Sequence, residues 1–443
     1  MADALLDDLF EWLRIPSIST GGGDPADLER AAEWAAAKVR AAGGEAELVR
    51  IGGGNPLVVG ELRAADPGAP TVLVYGHYDV QGVGDPALWT SEPFDPVVRD
   101  GRVFARGAAD DKGNFLPLLK AACDLARAGE LPVHVRVAIE GEEEAGGETI
   151  SRWLADDERG ADAAIVYDSG MVGVDRPAIT IGLRGVVLLT FDVRAADRDL
   201  HSGMYGGSAL NSLHALHRAL AAVLPGPDGR VRDELRVGIA PISDAERASW
   251  VGLPSGDETL TAAGARPAYP GAGAEYVERN GGDAAVDVDQ IVAGDARTVI
   301  PAVTRCTVSI RLAPGQDPAA MGAELERLLR EALPEGAEMT IVSSHSATPA
   351  LFPVELPAIR LAAEAIERAC GVAPVLVRSG GSIPIVAELG AKGIPTIVTG
   401  FVLPDDPFHA PNESFSLRGL ELGERSAREL LMALAGLRDR SSA

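Results

Sequence analysis

Short apolar segments rich in β-branched residues alternate with helical segments through much of this chain. The segments Thr71–Tyr75, Val133–Ile139, Ala163–Tyr167 and Thr396–Phe401 each have Gly, Asp or Pro close behind them, and helical segments such as Phe115–Ala128 separate several of them. Buried strands that alternate with helices are typical of an α/β fold. We therefore predict a mostly parallel sheet with helices on both faces.

The pattern changes between residues 183 and 350. Val186–Val193 and Cys306–Leu312 alternate apolar and polar residues, and two helical segments are mixed with such strands, which favours an α+β domain. At 443 residues the chain also exceeds the size at which one core keeps growing. We predict a discontinuous catalytic domain, 1–182 and 351–443, with a smaller α+β domain, 183–350, inserted into it.

Composition excludes several classes of partner. The formal net charge is −25, whereas nucleic acid binding needs a basic surface. No apolar run approaches the roughly 18 residues that span a membrane, and Met1–Leu13 is acidic and amphipathic, unlike a secretory signal. Cys123, Cys306 and Cys370 are far apart and suit a reducing compartment, so we expect a cytoplasmic protein that binds neither nucleic acid nor membrane.

Acidic and histidine residues lie just past the ends of four predicted strands. These residues are His77, the pair Glu143–Glu144, Asp168 and His409. Ligand sites in open α/β sheets form outside the carboxyl ends of the strands, so residues distant in sequence should converge there. Together with an acidic pair in the string Arg-Gly-Ala-Ala-Asp-Asp-Lys-Gly, they predict a metal site whose ligands are His77, Asp110, Glu144, Asp168 and His409.

The predicted ligands indicate two metal ions. Two imidazoles and three carboxylates suit zinc, or manganese or cobalt, better than calcium. The three carboxylates balance two divalent cations once a bridging hydroxide is added, whereas a single cation would leave surplus negative charge. Two metals about 3.5–4 Å apart would polarise a carbonyl and generate hydroxide near neutral pH. We therefore predict a hydrolase.

Further acidic residues flank these ligands. Glu143 is the candidate general base that shuttles a proton from water to the leaving amine. Asp79, two residues beyond His77, is expected to accept the other N–H of that histidine and fix its tautomer. Asp111 and Glu142 remain open between electrostatic tuning of the site and simple exposure to solvent.

The order of these motifs resembles a known family. Gly-His-x-Asp, Arg-Gly-x-x-Asp-x-Lys-Gly, Glu-Gly-x-Glu-Glu, a later Asp and a late His are similar to the co-catalytic metallopeptidases and deacylases that include carnosinase, aminoacylase and carboxypeptidase G. The resemblance implies one metal on His77 and Asp168, a second on Glu144 and His409, and Asp110 as the bridge. It also implies that Glu143 is the general base and that the inserted domain is a lid or dimerisation domain, hence a homodimer.

Other strings resemble the branch of cytosolic nonspecific dipeptidases and carnosinases. They include Gly-His-Tyr-Asp-Val-Gln, Asp-Leu-His-Ser-Gly-Met-Tyr-Gly-Gly and Gly-Gly-Ser-Ile-Pro. Asp at position 168 also resembles dipeptidase and aminopeptidase members, since the deacylases usually carry Glu there. Glu142 departs from the family, where relatives often have a neutral residue.

The resemblance extends to a substrate site. It implies that His201 stabilises the carbonyl or oxyanion, in relatives within the partner subunit's active site; the alternative is a locally bonded loop histidine. Arg311 could bind a substrate carboxylate through both its donors, or be a surface arginine. Gly381 and Ser382 could present N–H groups to the same carboxylate, or only cap a helix. Thr298 could add a hydroxyl.

These observations favour dimetal hydrolysis of dipeptides or other short unblocked peptides. An N-acyl amino acid deacylase of the same family is the nearest alternative, because its chemistry is the same and only the pocket for the amine side differs. A noncatalytic metal-binding scaffold is a remote alternative, since no ligand and no general base is missing from the sequence.

Overall fold

The structure is a computed structural model that describes residues 2–295, 297–381 and 383–440. Its strands are β1 (Glu45–Val49), β2 (Leu57–Leu62), β3 (Thr71–His77), β4 (Val97–Arg99), β5 (Arg102–Phe104), β6 (His134–Glu140), β7 (Ala163–Tyr167), β8 (Ala178–Leu183), β9 (Gly185–Arg194), β10 (Leu200–His201), β11 (Ala285–Ala293), β12 (Val299–Ile300), β13 (Val303–Leu312), β14 (Glu338–Ala347), β15 (Ala350–Leu351), β16 (Val375–Ser379), β17 (Thr396–Thr399) and β18 (Ser414–Ser416). Its α-helices are α1 (Ala2–Leu13), α2 (Pro25–Ala41), α3 (Lys112–Ala128), α4 (Thr149–Asp156), α5 (Ser202–Tyr205), α6 (Ser212–Ala221), α7 (Asp244–Ser249), α8 (Gly256–Ala262), α9 (Tyr276–Gly282), α10 (Pro318–Glu331), α11 (Pro357–Cys370), α12 (Pro384–Ala391) and α13 (Leu417–Leu434).

The chain divides into two compact units. The first comprises Met1–Ile181, Phe352–Val377 and Glu388–Ala443, and the second comprises Gly182–Leu351 and Arg378–Ala387. The second unit thus covers the predicted insertion, extends it by one residue at each end, and adds ten further residues, 378–387, that the sequence alone places in the catalytic domain. The assignment of the first unit as the catalytic domain and of the second as the lid or dimerisation domain stays a prediction.

The large sheet has nine strands in the order β1-β2-β6-β3-β7-β17-β8-β15, with β16 also paired to β8. Its four central strands, β6, β3, β7 and β17, are parallel, whereas β1 with β2, β2 with β6, β17 with β8 and β8 with β15 pair antiparallel. Almost every residue of β3, β6 and β7 is buried, as expected for parallel strands covered on both faces. The predicted α/β class is confirmed, with this parallel pairing at the centre of the sheet.

Two features of the first unit position its polar residues. Helix α3 begins directly after Asp110–Asp111 and packs on β3 and β7, so this acidic pair lies near the ends of those strands. A separate antiparallel sheet in the order β18-β5-β4 brings Ser414–Ser416 beside Arg102–Phe104. This pairing joins the segment that follows His409 to the segment that precedes Asp110.

The second unit contains a four-stranded antiparallel sheet in the order β11-β13-β9-β14. Burial alternates along β9, and its buried residues, such as Phe191 and Val193, share a core with residues of α6 and α10. The alternating pattern read from the sequence is therefore a sheet with one face on the core. Strand β11 and the short helices α7, α8 and α9 were not predicted.

Among the described residues, no helix combines the length and the apolar character needed to cross a bilayer.

Candidate metal centre

Three neighbouring parallel strands deliver polar residues to one edge of the large sheet. His77 ends β3 and pairs in register with Glu140, the last residue of β6. A 3₁₀ turn, Glu143–Ala145, follows β6, and Asp168 follows β7. Because parallel strands place their carboxyl ends at the same edge, these residues come together although they are far apart in sequence.

The five predicted ligands form two groups that share one carboxylate. His77, Asp110 and Asp168 make the first group and Asp110, Glu144 and His409 the second; within each, one donor atom per residue lies within 4.8 Å of the others. Asp110 Oδ1 lies 3.0 Å from His77 Nε2, and its Oδ2 lies 3.0 Å from His409 Nε2. Since the two oxygens of Asp110 face different histidines, this carboxylate can bridge two cations.

The donors of the two groups fit a pair of divalent cations. None of the three carboxylates forms an ion pair with a lysine or arginine in the described part of the chain, where the ionic partners of Asp110 and Glu144 are histidines. Glu144 Oε1 is buried and has no hydrogen-bond partner there. Buried carboxylates without a cation are costly, and mixed imidazole and carboxylate donors suit zinc and similar metals.

The pKa shifts show how strongly this cluster attracts positive charge. Burial, reinforced by the neighbouring Asp110, raises the pKa of Asp168 well above its ordinary value. Burial lowers the pKa of His77, but hydrogen bonds to Asp110 and Asp79 outweigh that effect and raise it well above the ordinary range. Hydrogen bonds to Asp110 and Glu144 raise the pKa of His409 to about 10. A bound cation would therefore displace protons, and binding should weaken as the pH falls.

Glu143, the predicted general base, belongs to neither ligand group. Burial, with further contributions from the charges of Asp110 and Glu144, raises the pKa of its carboxyl. A raised pKa suits a carboxylate that must both take up and release a proton near neutral pH.

Asp79 is fully buried. It was predicted to orient His77, and it also forms hydrogen bonds with other residues. Its carboxylate accepts hydrogen bonds from the backbone N–H of Glu143 (3.3 Å) and of Glu144 (3.1 Å) and from Ser19 Oγ (2.5 Å). His77 Nδ1 lies 3.1 Å from the Asp79 carbonyl oxygen and 3.4 Å from its carboxylate. Asp79 therefore orients His77 chiefly through its backbone, and its side chain fixes the turn that carries Glu143.

Asp111 and Glu142, whose roles the sequence left undecided, both form hydrogen bonds within the protein. Asp111 is fully buried, and its Oδ2 accepts a hydrogen bond from the His77 N–H at 3.2 Å. Glu142 accepts hydrogen bonds from the N–H groups of Asn55 (2.8 Å) and Thr149 (3.2 Å). Simple exposure to solvent is therefore wrong for Asp111, and Glu142 organises the loop between β6 and α4.

Three buried residues near the site, Asn114, Arg106 and Glu413, received no role from the sequence, although Arg106 begins the quoted Arg-Gly-x-x-Asp string. Asn114 Nδ2 donates to the Ser169 carbonyl at 3.0 Å, and its Oδ1 accepts from the Phe401 N–H at 2.9 Å, which ties α3 to the ends of β7 and β17. Arg106 and Glu413 form a buried ion pair. No periodicity marks Asn114 or Glu413; a charged residue four positions past His409 is the only sequence signal for the latter.

Two of the predicted substrate residues, His201 and Thr298, lie side by side in the second unit. His201 precedes the short helix α5, and its Nδ1 accepts a hydrogen bond from the Gly203 N–H at 3.1 Å, as in the loop-histidine alternative. Thr298 directly precedes β12, which pairs with β10. The Ser202 N–H donates to the Thr298 carbonyl at 3.0 Å, so this pairing holds the two segments together.

The other predicted substrate residues are less constrained. Arg311 is half-buried on β13, opposite Val186 of β9, and forms no ion pair with any described residue. The Gly381 N–H donates to Ser379 Oγ at 3.2 Å. Ser382 lies outside the described residues.

Comparison with known proteins places this geometry among peptidases. The family profile described as Peptidase family M20/M25/M40 matches residues 73–433. A cysteinylglycine-S-conjugate dipeptidase of Corynebacterium striatum is 28% identical over 372 residues, which cover 82% of this chain and 80% of that protein. A β-Ala-His dipeptidase of Rattus norvegicus is 27% identical in an alignment that covers 94% of this chain and 89% of that protein.

The fold has a solved counterpart of nearly the same extent. The crystal structure of an M20 family metallo-carboxypeptidase, Sso-CP2 from Sulfolobus solfataricus, superposes with a TM-score of 0.83 at 24% identity and covers 97% of this chain and 99% of that one. At this identity the likeness supports the fold alone.

Proposed function

The chain belongs to peptidase family M20/M25/M40, and on that premise we propose that it is a metallopeptidase that hydrolyses dipeptides or other short unblocked peptides. One observation carries the proposal: two groups of metal-binding side chains share Asp110 at the carboxyl edge of the sheet, with Glu143 beside them but in neither group. The dipeptidase names of the relatives in Corynebacterium striatum and Rattus norvegicus support the choice of substrate.

Each residue of the centre has a proposed task. His77 and Asp168 would hold one metal, Glu144 and His409 the other, and Asp110 both. When bound, two divalent cations supply Lewis acidity, which polarises a carbonyl and makes water more acidic. Glu143 would hold the proton taken from water on its carboxylate and pass it to the leaving amine, for which its raised pKa is suited.

We propose zinc as the native metal, with manganese or cobalt as alternatives. The two imidazoles and three carboxylates of the centre suit all three metals. Elemental analysis of the protein purified without added metal would identify the ion, and a calcium- or iron-only result would contradict this choice.

The proposed substrate contacts follow the family resemblance. His201 would stabilise the developing oxyanion, Arg311 would bind the substrate carboxylate, and Gly381 and Ser382 would present N–H groups to it. Thr298 would add a hydroxyl. Arg311 forms no ion pair with any described residue, which supports its proposed role in binding the substrate carboxylate.

We also propose a homodimer, formed through the second unit, in the cytoplasm. Exposed apolar side chains on α5 and on the edge strand β11 support the interface, namely Met204, Tyr205, Ile291 and Val292. The three cysteines are unpaired, which supports a reducing compartment. Light scattering would test the dimer, and cell fractionation would test the location.

A substrate panel tests the activity itself. Cys-Gly, β-Ala-His and simple Ala- and Gly-containing dipeptides would be assayed beside N-acetyl amino acids, each with Zn²⁺ or Mn²⁺ and with a chelator control. Hydrolysis of dipeptides that the chelator abolishes is expected. Turnover of acyl substrates alone would favour the deacylase, and metal binding without any hydrolysis would favour the scaffold.

A further inference from the structure

Arg106 and Glu413 form an ion pair beside the metal centre that no step of hydrolysis uses. We propose that Glu413 is a positioning residue, held by Arg106, which fixes the bridging Asp110 relative to His409 and thereby sets the affinity for the metal pair. The inference rests on the proposed dimetal function. It concerns the loop that carries Asp110 and the loop that carries His409.

Glu413 directs both carboxylate oxygens at the loop that carries the bridge. Its Oε1 accepts hydrogen bonds from the N–H groups of Ala109 (2.8 Å) and Asp110 (3.1 Å), and its Oε2 accepts from the Gly107 N–H (3.0 Å). Its own carbonyl accepts from the Ala105 N–H at 3.1 Å. Four backbone N–H groups within residues 105–110 are therefore fixed by one residue, and one of them belongs to Asp110 itself.

Arg106 connects the same residue to other segments of the site. Its Nη1 donates to Glu413 Oε2 at 2.6 Å, and its Nη2 donates to the Gly82 carbonyl at 3.1 Å and to the Ala410 carbonyl at 3.5 Å. Ala410 follows His409 directly. Arg106 thus joins the segment after His77, the loop of Asp110 and the loop of His409.

The loop of His409 needs such support because of its backbone. His409 and Asn412 have φ angles of 59° and 63°, a left-handed conformation that few residues other than glycine adopt, although Asn and His adopt it more readily than most. Asn412 is held from outside, since its Oδ1 accepts from the Thr90 N–H at 2.8 Å and its Nδ2 donates to the Leu88 carbonyl at 2.8 Å. Glu413 continues this attachment to the Asp110 loop.

The burial of the pair indicates a task beyond packing. The side chains of Arg106 and Glu413 are 1% and 0% exposed, and apolar residues of similar volume often stabilise a fold as well as a buried ion pair does. Here the carboxylate instead satisfies N–H groups of a ligand-bearing loop. Residues that orient metal ligands typically change metal affinity about 10–100-fold when replaced.

The test compares Glu413→Gln and Arg106→Lys with a matched control. Asp157→Asn breaks another buried ion pair of the first unit, Arg136–Asp157, whose side chains are 4% and 8% exposed. Arg136 lies near the start of β6, at the opposite end of that strand from the site. Metal-free proteins would be titrated with Zn²⁺ by calorimetry, well below their unfolding temperatures.

We expect Glu413→Gln to bind at least one Zn²⁺ about 10–100-fold more weakly, Arg106→Lys to show a smaller loss in the same direction, and Asp157→Asn to bind two Zn²⁺ as the wild type does. Excess Zn²⁺ should restore activity to Glu413→Gln. Wild-type affinity in a folded Glu413→Gln would overturn the proposal, as would failure of both site variants to fold while Asp157→Asn folds. A wild type that binds two Zn²⁺ but hydrolyses no peptide would sink the proposed function and leave the inference standing.

Discussion

A buried carboxylate of the second unit, Glu246, and the carboxylates at the strand ends of the first unit have different partners. In the second unit, Glu246 binds Arg378 through both oxygens, at 2.6 and 2.9 Å, with both side chains almost fully buried. At the strand ends of the first unit, by contrast, Asp110 and Asp168 have no lysine or arginine as an ionic partner within the described ranges. Glu246 is thus paired with a guanidinium, whereas the ionic partners of Asp110 and Glu144 among the described residues are histidines, in two groups that could hold metal ions.

The sheets of the two units also differ in how their strands are buried. The central strands of the large sheet are buried on both faces, so polar residues accumulate at their ends. In the second unit, β9 alternates between buried and half-buried positions, and polar residues such as Asp192 occur along its length. Polar residues therefore follow the ends of these central strands in the first unit, whereas in the second unit they also occur along β9.

The largest effect is expected from Asp168→Asn. The variant should lose metal from the first ligand group, and activity should fall to background, because an amide is a weaker ligand than a carboxylate. In the metal-free protein, however, the same change should raise the unfolding temperature at pH 7. Burial raises the pKa of Asp168, so its ionised form destabilises the folded state as the pH rises above the unfolded pKa.

Metal analysis, peptidase assays and calorimetry of the metal-free protein measure these outcomes. A metal-free Asp168→Asn variant less stable than the metal-free wild type would show that the Asp168 carboxylate does not destabilise the metal-free protein.

The next effect is expected from Glu143→Gln. Without a group that can take up the proton, kcat should fall by about 10²–10⁴-fold. Both metals should remain bound, because Glu143 belongs to neither ligand group. Steady-state kinetics and elemental analysis test this pair of outcomes, and near-normal turnover would remove Glu143 from the proposed role.

Glu246→Ala should act on stability alone. Removal of this carboxylate leaves the buried guanidinium of Arg378 unpaired, which should lower the free energy of unfolding by about 3–5 kcal/mol. The metal content should not change. Chemical denaturation and elemental analysis provide the measurements, and loss of metal in this variant would contradict an effect on stability alone.

The contribution of Glu246 should also depend on pH. Burial opposes its ionisation, but hydrogen bonds from Arg378 outweigh that effect and lower its pKa below the ordinary 4.5. The stability difference between the wild type and Glu246→Gln should therefore be fully present above pH 4.5 and be lost as the pH falls through the lower folded pKa. Denaturation curves at several pH values would show whether the difference instead stays constant.

The smallest effect is expected from Arg305→Ala. Arg305 pairs with Asp192 on the exposed face of the four-stranded sheet, where solvent and salt screen the attraction. Thermal unfolding should be almost unchanged. A large decrease in the unfolding temperature would show that this exposed ion pair contributes to stability after all.

Much of the fold could be predicted from patterns of apolar residues. The segments Thr71–Tyr75 and Val133–Ile139 correspond to β3 and β6 within two residues at each end, and helix α3 begins three residues before the predicted Phe115. Strand β8 was missed although it is entirely buried. Strand β11 was missed although its first residues alternate Val and Asp; the rest of the strand is mostly exposed. A short apolar run such as β8 cannot be distinguished from a buried helical segment by periodicity alone, and periodicity also fails where a strand is mostly exposed.

The order of residues along the chain is enough to place His77, Glu144 and Asp168 at the ends of predicted strands, and hence at one edge of the sheet. Which atoms face each other becomes known only from the folded chain: the Asp79 carboxylate holds the turn of Glu143, and Glu413 pairs with Arg106, 307 positions away in sequence. Hydrogen bonds form over about 3 Å, and no periodic pattern along the chain records a distance of that size between segments so far apart.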